Sequence, residues 1–213
     1  MSQASGTDPL VIRSLEFIGG MATAGTWRPE SEMPEVAFAG RSNVGKSSLL
    51  NRLVRRKAFA RVSRTPGRTR EINFFRVNDL FVLADLPGYG YAKVSKERKA
   101  DWKPLIEGYL SGTPNLAGVV QLLDIRRDPS DDDVSMLDFL ADLGTPTVVV
   151  LTKTDKVSRR EAAERAIMIT SSLSLDADQT ISFSAVTGAG RDELAAALAG
   201  LVERSAGSGG VSE

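Results

Sequence analysis

The chain has 213 residues, which predicts one domain with short tails, since an average domain takes about 150 residues. Apolar residues make up 42% of the chain and charged residues 25%, so an ordinary core can form and wholesale disorder is excluded. The 27 basic and 27 acidic residues cancel, and the lack of cysteine and histidine excludes disulfides, thiolate metal sites and histidine-based catalysis. No apolar run could span a bilayer and the first ten residues lack a signal-peptide pattern, so we expect a cytoplasmic protein without a membrane attachment.

Short apolar runs alternate with helical patterns between two polar tails. We expect flexible tails at 1–9 and 205–213 and a single domain at 10–204. The pattern predicts strands at 35–40, 74–77, 80–84, 118–123, 147–151 and 180–183, and helices at 47–54, from Ser130 to Gly144 and at 191–204. Ser130 is a good N-cap, followed by aspartates that suit the helix dipole. This alternation predicts an α/β fold with a mostly parallel sheet, in which ligands bind at the carboxyl ends of the strands.

A glycine-rich loop follows the first of these strands and fits the pattern G-x-x-x-x-G-K-S. Glycines in such a loop let backbone N–H groups surround a phosphate chain, Lys46 reaches the β- and γ-phosphates, and the Ser47 hydroxyl binds Mg²⁺. The helix that begins there adds its dipole. The loop therefore predicts a nucleoside triphosphate site formed by Gly40, Arg41, Ser42, Asn43, Val44, Gly45, Lys46, Ser47 and Ser48.

A D-x-x-G pattern lies at the end of the strand predicted at 80–84. The Asp85 carboxylate is placed to hold Mg²⁺ directly or through water, and the Gly88 amide is placed to contact a γ-phosphate and to move when that phosphate leaves. Its distance of about 40 residues from the phosphate loop favours this role over an ordinary turn.

The strand at 147–151 is followed by Thr152, Lys153 and, two residues later, Asp155. An aspartate there can accept hydrogen bonds from the two donors of guanine, which adenine does not offer, while the Lys153 stem lies along the purine. A later strand ends at Ser184 and Ala185, whose amides could meet the guanine O6. Four such motifs, in this order and each at a strand end, identify the translation-factor-related GTPases.

Several longer segments point to one family among these GTPases. They read G-R-S-N-V-G-K-S-S-L-L-N, S-R-T-P-G-R-T-R-E-I-N-F-F, D-L-P-G-Y-G-Y-A-K-V and L-L-D-I-R-R-D-P-S-D-D-D. Together they resemble the EngB (YihA/YsxC) family of bacterial ribosome-assembly GTPases, over about residues 10–203. The resemblance implies a single GTPase domain with a mixed, mostly parallel six-stranded sheet, a monomer, and a role in maturation of the large ribosomal subunit.

The resemblance also implies roles for single residues. Thr65 and Thr69 both qualify as the threonine that binds Mg²⁺ in the triphosphate state, and the family pattern P-G-K/R-T favours Thr69, with Gly67 beside it. The implied catalytic residues are Lys46, Thr69 and Gly88, and the implied Mg²⁺ ligands are Ser47, Thr69 and Asp85. Tyr89 stands where many relatives have a glutamine that orients water, so we expect slow hydrolysis. Asn43 matches an asparagine that helps to bind K⁺ in some relatives.

Charge is unevenly distributed along the chain. Residues 52–70 carry eight basic side chains and no acidic one, and further lysines and an arginine follow within 93–103. We expect these stretches to form a surface that binds the large ribosomal subunit or its precursor. Three alternatives remain: a switch that acts on a protein partner in cell division or signalling without RNA contact, a metabolic kinase or ATPase, and a nucleotide-binding scaffold without turnover.

Overall fold

A computed structural model describes residues 8–29, 31–55, 71–90 and 96–208, without the side chains of 96–102 and 208. Its strands are β1 (Leu15–Met21), β2 (Glu35–Gly40), β3 (Ile72–Val77), β4 (Phe81–Asp85), β5 (Leu116–Asp124), β6 (Thr147–Thr152) and β7 (Thr180–Ser182). Its helices are α1 (Lys46–Leu53), α2 (Lys96–Ser111), α3 (Asp131–Asp142), α4 (Arg159–Ser172) and α5 (Arg191–Ser208). Within the part of the chain so described, no helix has both the length and the apolar character needed to cross a membrane.

The strands form one sheet in the order β1-β3-β4-β2-β5-β6-β7. Neighbours from β4 to β7 are parallel, whereas β1 and β3 and likewise β3 and β4 are antiparallel. The predicted α/β class and mixed sheet are confirmed, but the predicted number of six strands is wrong, because β1 adds a seventh at the edge. Its two glycines and its half-exposed side chains give no alternating or continuous apolar pattern.

The helices close both faces of the sheet. Helix α5 buries Leu194, Leu198 and Leu201 beneath the face that α1 also covers, while α2 and α3 pack on the opposite face. Helix α3 begins at the predicted cap, where Ser130 and Asp133 form a capping box, and Gly144 follows its end at a positive φ of 63°.

Both expected tails differ from the structure at their inner ends. Helix α5 continues to Ser208, four residues past Arg204, because extending an existing helix costs less than starting one. At the other end, Asp8 belongs to the expected tail 1–9 but makes ion pairs with Arg191 and Arg55.

Candidate nucleotide-binding site

The phosphate loop connects β2 to α1 at the carboxyl edge of the sheet. Its backbone has positive φ angles of 64° at Asn43 and 111° at Gly45, an alternation typical of a concave anion-binding loop. Gly40 packs closely, since a Cβ there would lie 3.0 Å from Val44 Cγ1 and 3.1 Å from Leu122 Cβ. Helix α1 starts directly after Gly45, so its N-terminal amides point at this concavity.

Residues of the predicted base-reading motif brace this loop. The buried Thr152 Oγ1 lies 2.7 Å from the Val44 carbonyl oxygen and 3.0 Å from that of Leu123. Lys153 Nζ donates to the Asn43 carbonyl at 2.6 Å. Thr152 therefore tethers the phosphate loop to the end of β5.

Lys46 forms a close ion pair with Asp85 at the centre of the site. Their side chains are 12% and 6% exposed, so the predicted phosphate-binding cation and the predicted Mg²⁺ carboxylate share one largely buried position. Ser47 is exposed on the first turn of α1. These two oxygen donors suit Mg²⁺, which commonly takes one or two protein ligands and completes its shell with phosphate and water. The described residues contain no cluster of three acidic side chains that would form an all-protein cage.

The D-x-P-G segment is fastened to the phosphate loop through Ser42. Ser42 Oγ donates to the Gly88 carbonyl at 3.1 Å, and the Ser42 amide donates to the Tyr89 carbonyl at 2.8 Å. A Cβ at Gly88 would lie 3.1 Å from Ser42 Cα. Ser42 therefore contacts both Gly88 and Tyr89 directly.

The Tyr89 side chain points into the core rather than towards the phosphate loop. Its hydroxyl donates to Asp133 Oδ1 at 2.8 Å and accepts from the Gln121 amide, and all three residues are buried. Burial and the Asp133 charge raise the pKa of Tyr89 well above its usual value of 10.0. The expectation that Tyr89 does not replace the water-orienting glutamine thus has a geometric basis.

Asp155 and Ser184 come together from the ends of β6 and β7. Ser184 Oγ donates to Asp155 Oδ1 at 2.8 Å and accepts from the amides of Val186 and Thr187 at 3.2 and 3.1 Å. The Ser184 hydrogen bond lowers the pKa of Asp155 below 3.8, so its carboxylate is charged at neutral pH. Ala185, whose amide is predicted to meet guanine O6, lies between Ser184 and Val186 in this loop.

Asp124 is a site residue that the sequence analysis did not single out. It accepts two hydrogen bonds from Arg126, at 2.9 and 2.7 Å, and one from Lys153 at 2.9 Å. Burial favours a higher pKa for Asp124, but the hydrogen bonds from Arg126 and Lys153 outweigh it and lower the pKa. A cavity of about 430 Å³ is lined by residues of this cluster and of the phosphate loop, and Asp155 is not among its lining residues.

Several predicted site residues lie outside the described residues, namely Thr65, Gly67, Thr69 and Lys93, together with all of 56–70. Three basic side chains of the expected ribosome-facing surface are described, and each contacts another group of this chain. Arg52 donates to the Thr187 carbonyl, Arg55 pairs with Asp8, and Lys103 pairs with Glu107.

Comparisons with known proteins agree with this geometry. The family model described as "50S ribosome-binding GTPase" matches residues 35–153. The chain is 67% identical over 189 residues to the probable GTP-binding protein EngB of Gemmatimonas aurantiaca, covering 89% of this chain and 93% of that protein. It is 49% identical over 197 residues to the probable GTP-binding protein EngB of Geobacter sp. strain M21, covering 92% of each.

A crystal structure of a probable GTP-binding protein engB superposes with a TM-score of 0.67 at 24% identity, covering 80% of this chain and 99% of that chain. The match extends over nearly all of that chain and shows a shared fold. The chain belongs to the EngB family of GTP-binding GTPases.

Proposed function

We propose that this GTPase acts as a nucleotide switch during assembly of the bacterial large ribosomal subunit. The observation that supports a switch is the pair of hydrogen bonds from Ser42 to the carbonyls of Gly88 and Tyr89. Because of these bonds, a γ-phosphate contact at Gly88 would shift the segment that leads into 91–103. The matching family model, whose description names binding to the 50S subunit, supports the choice of partner.

The site assigns a role to each group that would contact GTP. Lys46 and the loop amides hold the phosphates, Ser47, Thr69 and Asp85 supply oxygen ligands to Mg²⁺, and bound Mg²⁺ neutralises phosphate charge during hydrolysis. Lys46→Ala should abolish tight GTP binding, which a fluorescent GTP analogue would measure. Chelation of Mg²⁺ should stop hydrolysis, and turnover that persists in EDTA would contradict the metal assignment.

Guanine is read by Asp155, supported by Ser184, with Lys153 along the purine and the amide of Ala185 near O6. The fixed negative charge of Asp155 matches the two donors of guanine. Asp155→Asn should weaken GTP binding and favour xanthine nucleotides, and an unchanged preference for GTP would refute this role.

Hydrolysis is slow in the isolated protein, since Tyr89 is committed to the core and the chain has no histidine to orient water. We propose that K⁺ at Asn43 partly replaces the missing group, because the Asn43 side chain is exposed on the phosphate loop. Equal hydrolysis rates in K⁺ and in Na⁺ would exclude that contribution.

The partner surface comprises basic residues within 52–70 and 93–103, and the protein binds as a cytoplasmic monomer. The test is sedimentation with ribosomal subunits in a non-hydrolysable GTP analogue and in GDP, at two salt concentrations. Co-migration with the large subunit that is stronger in the analogue and falls steeply with salt is the expected result. Absence of co-migration at low salt in both states would refute ribosome binding and favour a protein partner.

A further inference from the structure

Arg52 extends from the last turn of α1 to the loop that supports the base-reading residues. Its Nη2 donates to the Thr187 carbonyl at 2.8 Å. Gly188 makes room for this contact, since a Cβ there would lie 2.2 Å from Arg52 Nη2, and the backbone of Gly188 has a positive φ of 89°. The guanidinium therefore lies directly against the Thr187–Gly188 peptide.

The contacted peptide leads to Asp155 in two steps. The amide of Thr187 donates to Ser184 Oγ at 3.1 Å, and Ser184 Oγ donates to Asp155 Oδ1 at 2.8 Å. The amide of Gly188 also donates to the Ser184 carbonyl at 2.8 Å. The peptide group whose carbonyl accepts from Arg52 thus holds the Ser184 carbonyl through its own amide, and the peptide group before it holds the Ser184 hydroxyl.

We propose that Arg52 is a positioning residue for guanine recognition rather than part of the ribosome-facing surface. It joins the end of the helix that follows the phosphate loop to the loop that orients Asp155 and carries the amide for O6. The inference rests on the proposed base-reading role of Asp155. Arg52 contacts neither the base nor the phosphates directly. Because it acts through Thr187 and Ser184, its loss should weaken binding of the base more than binding of the phosphates.

The test compares Arg52→Ala with the natural chain in equilibrium binding of fluorescent GDP, with ADP as competitor. Loss of one hydrogen bond to the loop should raise the Kd for GDP about 3- to 10-fold. Adenine does not use the Asp155 and O6 contacts, so the preference for GDP over ADP should fall by a similar factor. A general loss of structure would weaken both nucleotides alike and leave the preference unchanged.

Arg160→Ala is the matched control, since Arg160 is also an exposed helical arginine but pairs with Glu164 on its own helix. It should change neither nucleotide affinity. Because Arg52 acts through Ser184, the effects of Arg52→Ala and Ser184→Ala on the GDP preference should be less than additive. Full additivity of the two effects would overturn the proposed route.

An unchanged GDP preference in Arg52→Ala would overturn the proposal. If co-sedimentation with ribosomal subunits fell at the same time, Arg52 would belong to the ribosome-facing surface instead. Failure of the underlying base-reading role gives a different result, because Asp155→Asn would then leave the preference for guanine intact as well.

Discussion

Replacing Tyr89 with phenylalanine separates a structural role of this side chain from a role in hydrolysis. The change removes the hydroxyl that donates to Asp133 and accepts from Gln121. Losing a hydrogen bond to a charged acceptor costs about 1.5–3 kcal/mol, and leaving a buried amide unpaired costs about 1–3 kcal/mol. Gln121 is fully buried and its Oε1 already has no partner among the described residues. We therefore expect Tyr89→Phe to lower the free energy of unfolding by about 3 kcal/mol.

The assay is urea unfolding followed by the fluorescence of the two tryptophans, together with single-turnover GTP hydrolysis under conditions where the variant is fully folded. Because the Tyr89 hydroxyl points away from the phosphate loop, the hydrolysis rate should stay within about 2-fold of the natural chain. Tyr109→Phe is the control, since the Tyr109 hydroxyl is also buried and donates to Glu35 at 2.9 Å, far from the phosphate loop.

A large loss of hydrolysis in Tyr89→Phe with an unchanged free energy of unfolding would refute this reasoning. Such a result would mean that the hydroxyl faces GTP during turnover. Equal stability losses in Tyr89→Phe and Tyr109→Phe, with hydrolysis retained in both, would establish a purely structural role for the Tyr89 hydroxyl.

Three further predictions concern the Thr152 tether, the two buried tyrosines and the Asp155 carboxylate. Thr152→Val should lower the free energy of unfolding by about 1–3 kcal/mol and speed GDP dissociation, because the carbonyls of Val44 and Leu123 lose the Thr152 hydroxyl as their donor. Thr147→Val, on the same strand but away from the loop, is the control and should not speed GDP dissociation. Above pH 10, the free energy of unfolding should fall by up to about 1.4 kcal/mol per pH unit for each of Tyr89 and Tyr109. The reason is that their raised pKa values keep these phenols protonated in the folded state, whereas they ionise in the unfolded state. Unfolding curves at pH 10–11 measure this slope, and a flat profile would contradict it. The lowered pKa of Asp155 gives stability that is present above pH 3.8 and lost as the pH falls through its folded value, so the stability gap between the natural chain and Ser184→Ala should narrow in acid unfolding titrations.

The secondary structure that the sequence failed to predict lacks strong apolar patterns. Edge strand β1 has one buried residue, Met21, and two glycines, so its existence depends on pairing with β3 rather than on its own composition. Helix α4 has a single buried residue, Ile169, and helix α2 contains a proline, Pro104, within its length. The strands at the centre of the sheet were predictable because both of their faces are covered by helices, which requires continuous apolar runs.

The contacts around the site were less predictable than its motifs. Motif spacing placed Lys46, Asp85 and Asp155 at one sheet edge, since parallel strands share their carboxyl ends. It could not show that Asp133 serves both as a helix cap and as the acceptor for Tyr89, because that pairing joins residues 44 apart. One signal was available: Gln121 is a single polar residue within the buried run of β5, and a buried amide requires a partner.

Side-chain contacts between loops join the three segments that are predicted to contact the nucleotide. Ser42 holds Gly88, Thr152 holds Val44, and Arg52 holds Thr187. Two of these contacts fix the loop before α1, and the third starts from the opposite end of the same helix. Helix α1 has only eight residues, so a short element connects the phosphate loop at its start with the Arg52 contact near its end. We therefore expect the phosphate contacts and the guanine contacts to be energetically coupled, so that a change at Gly88 on hydrolysis would also alter the affinity for the base.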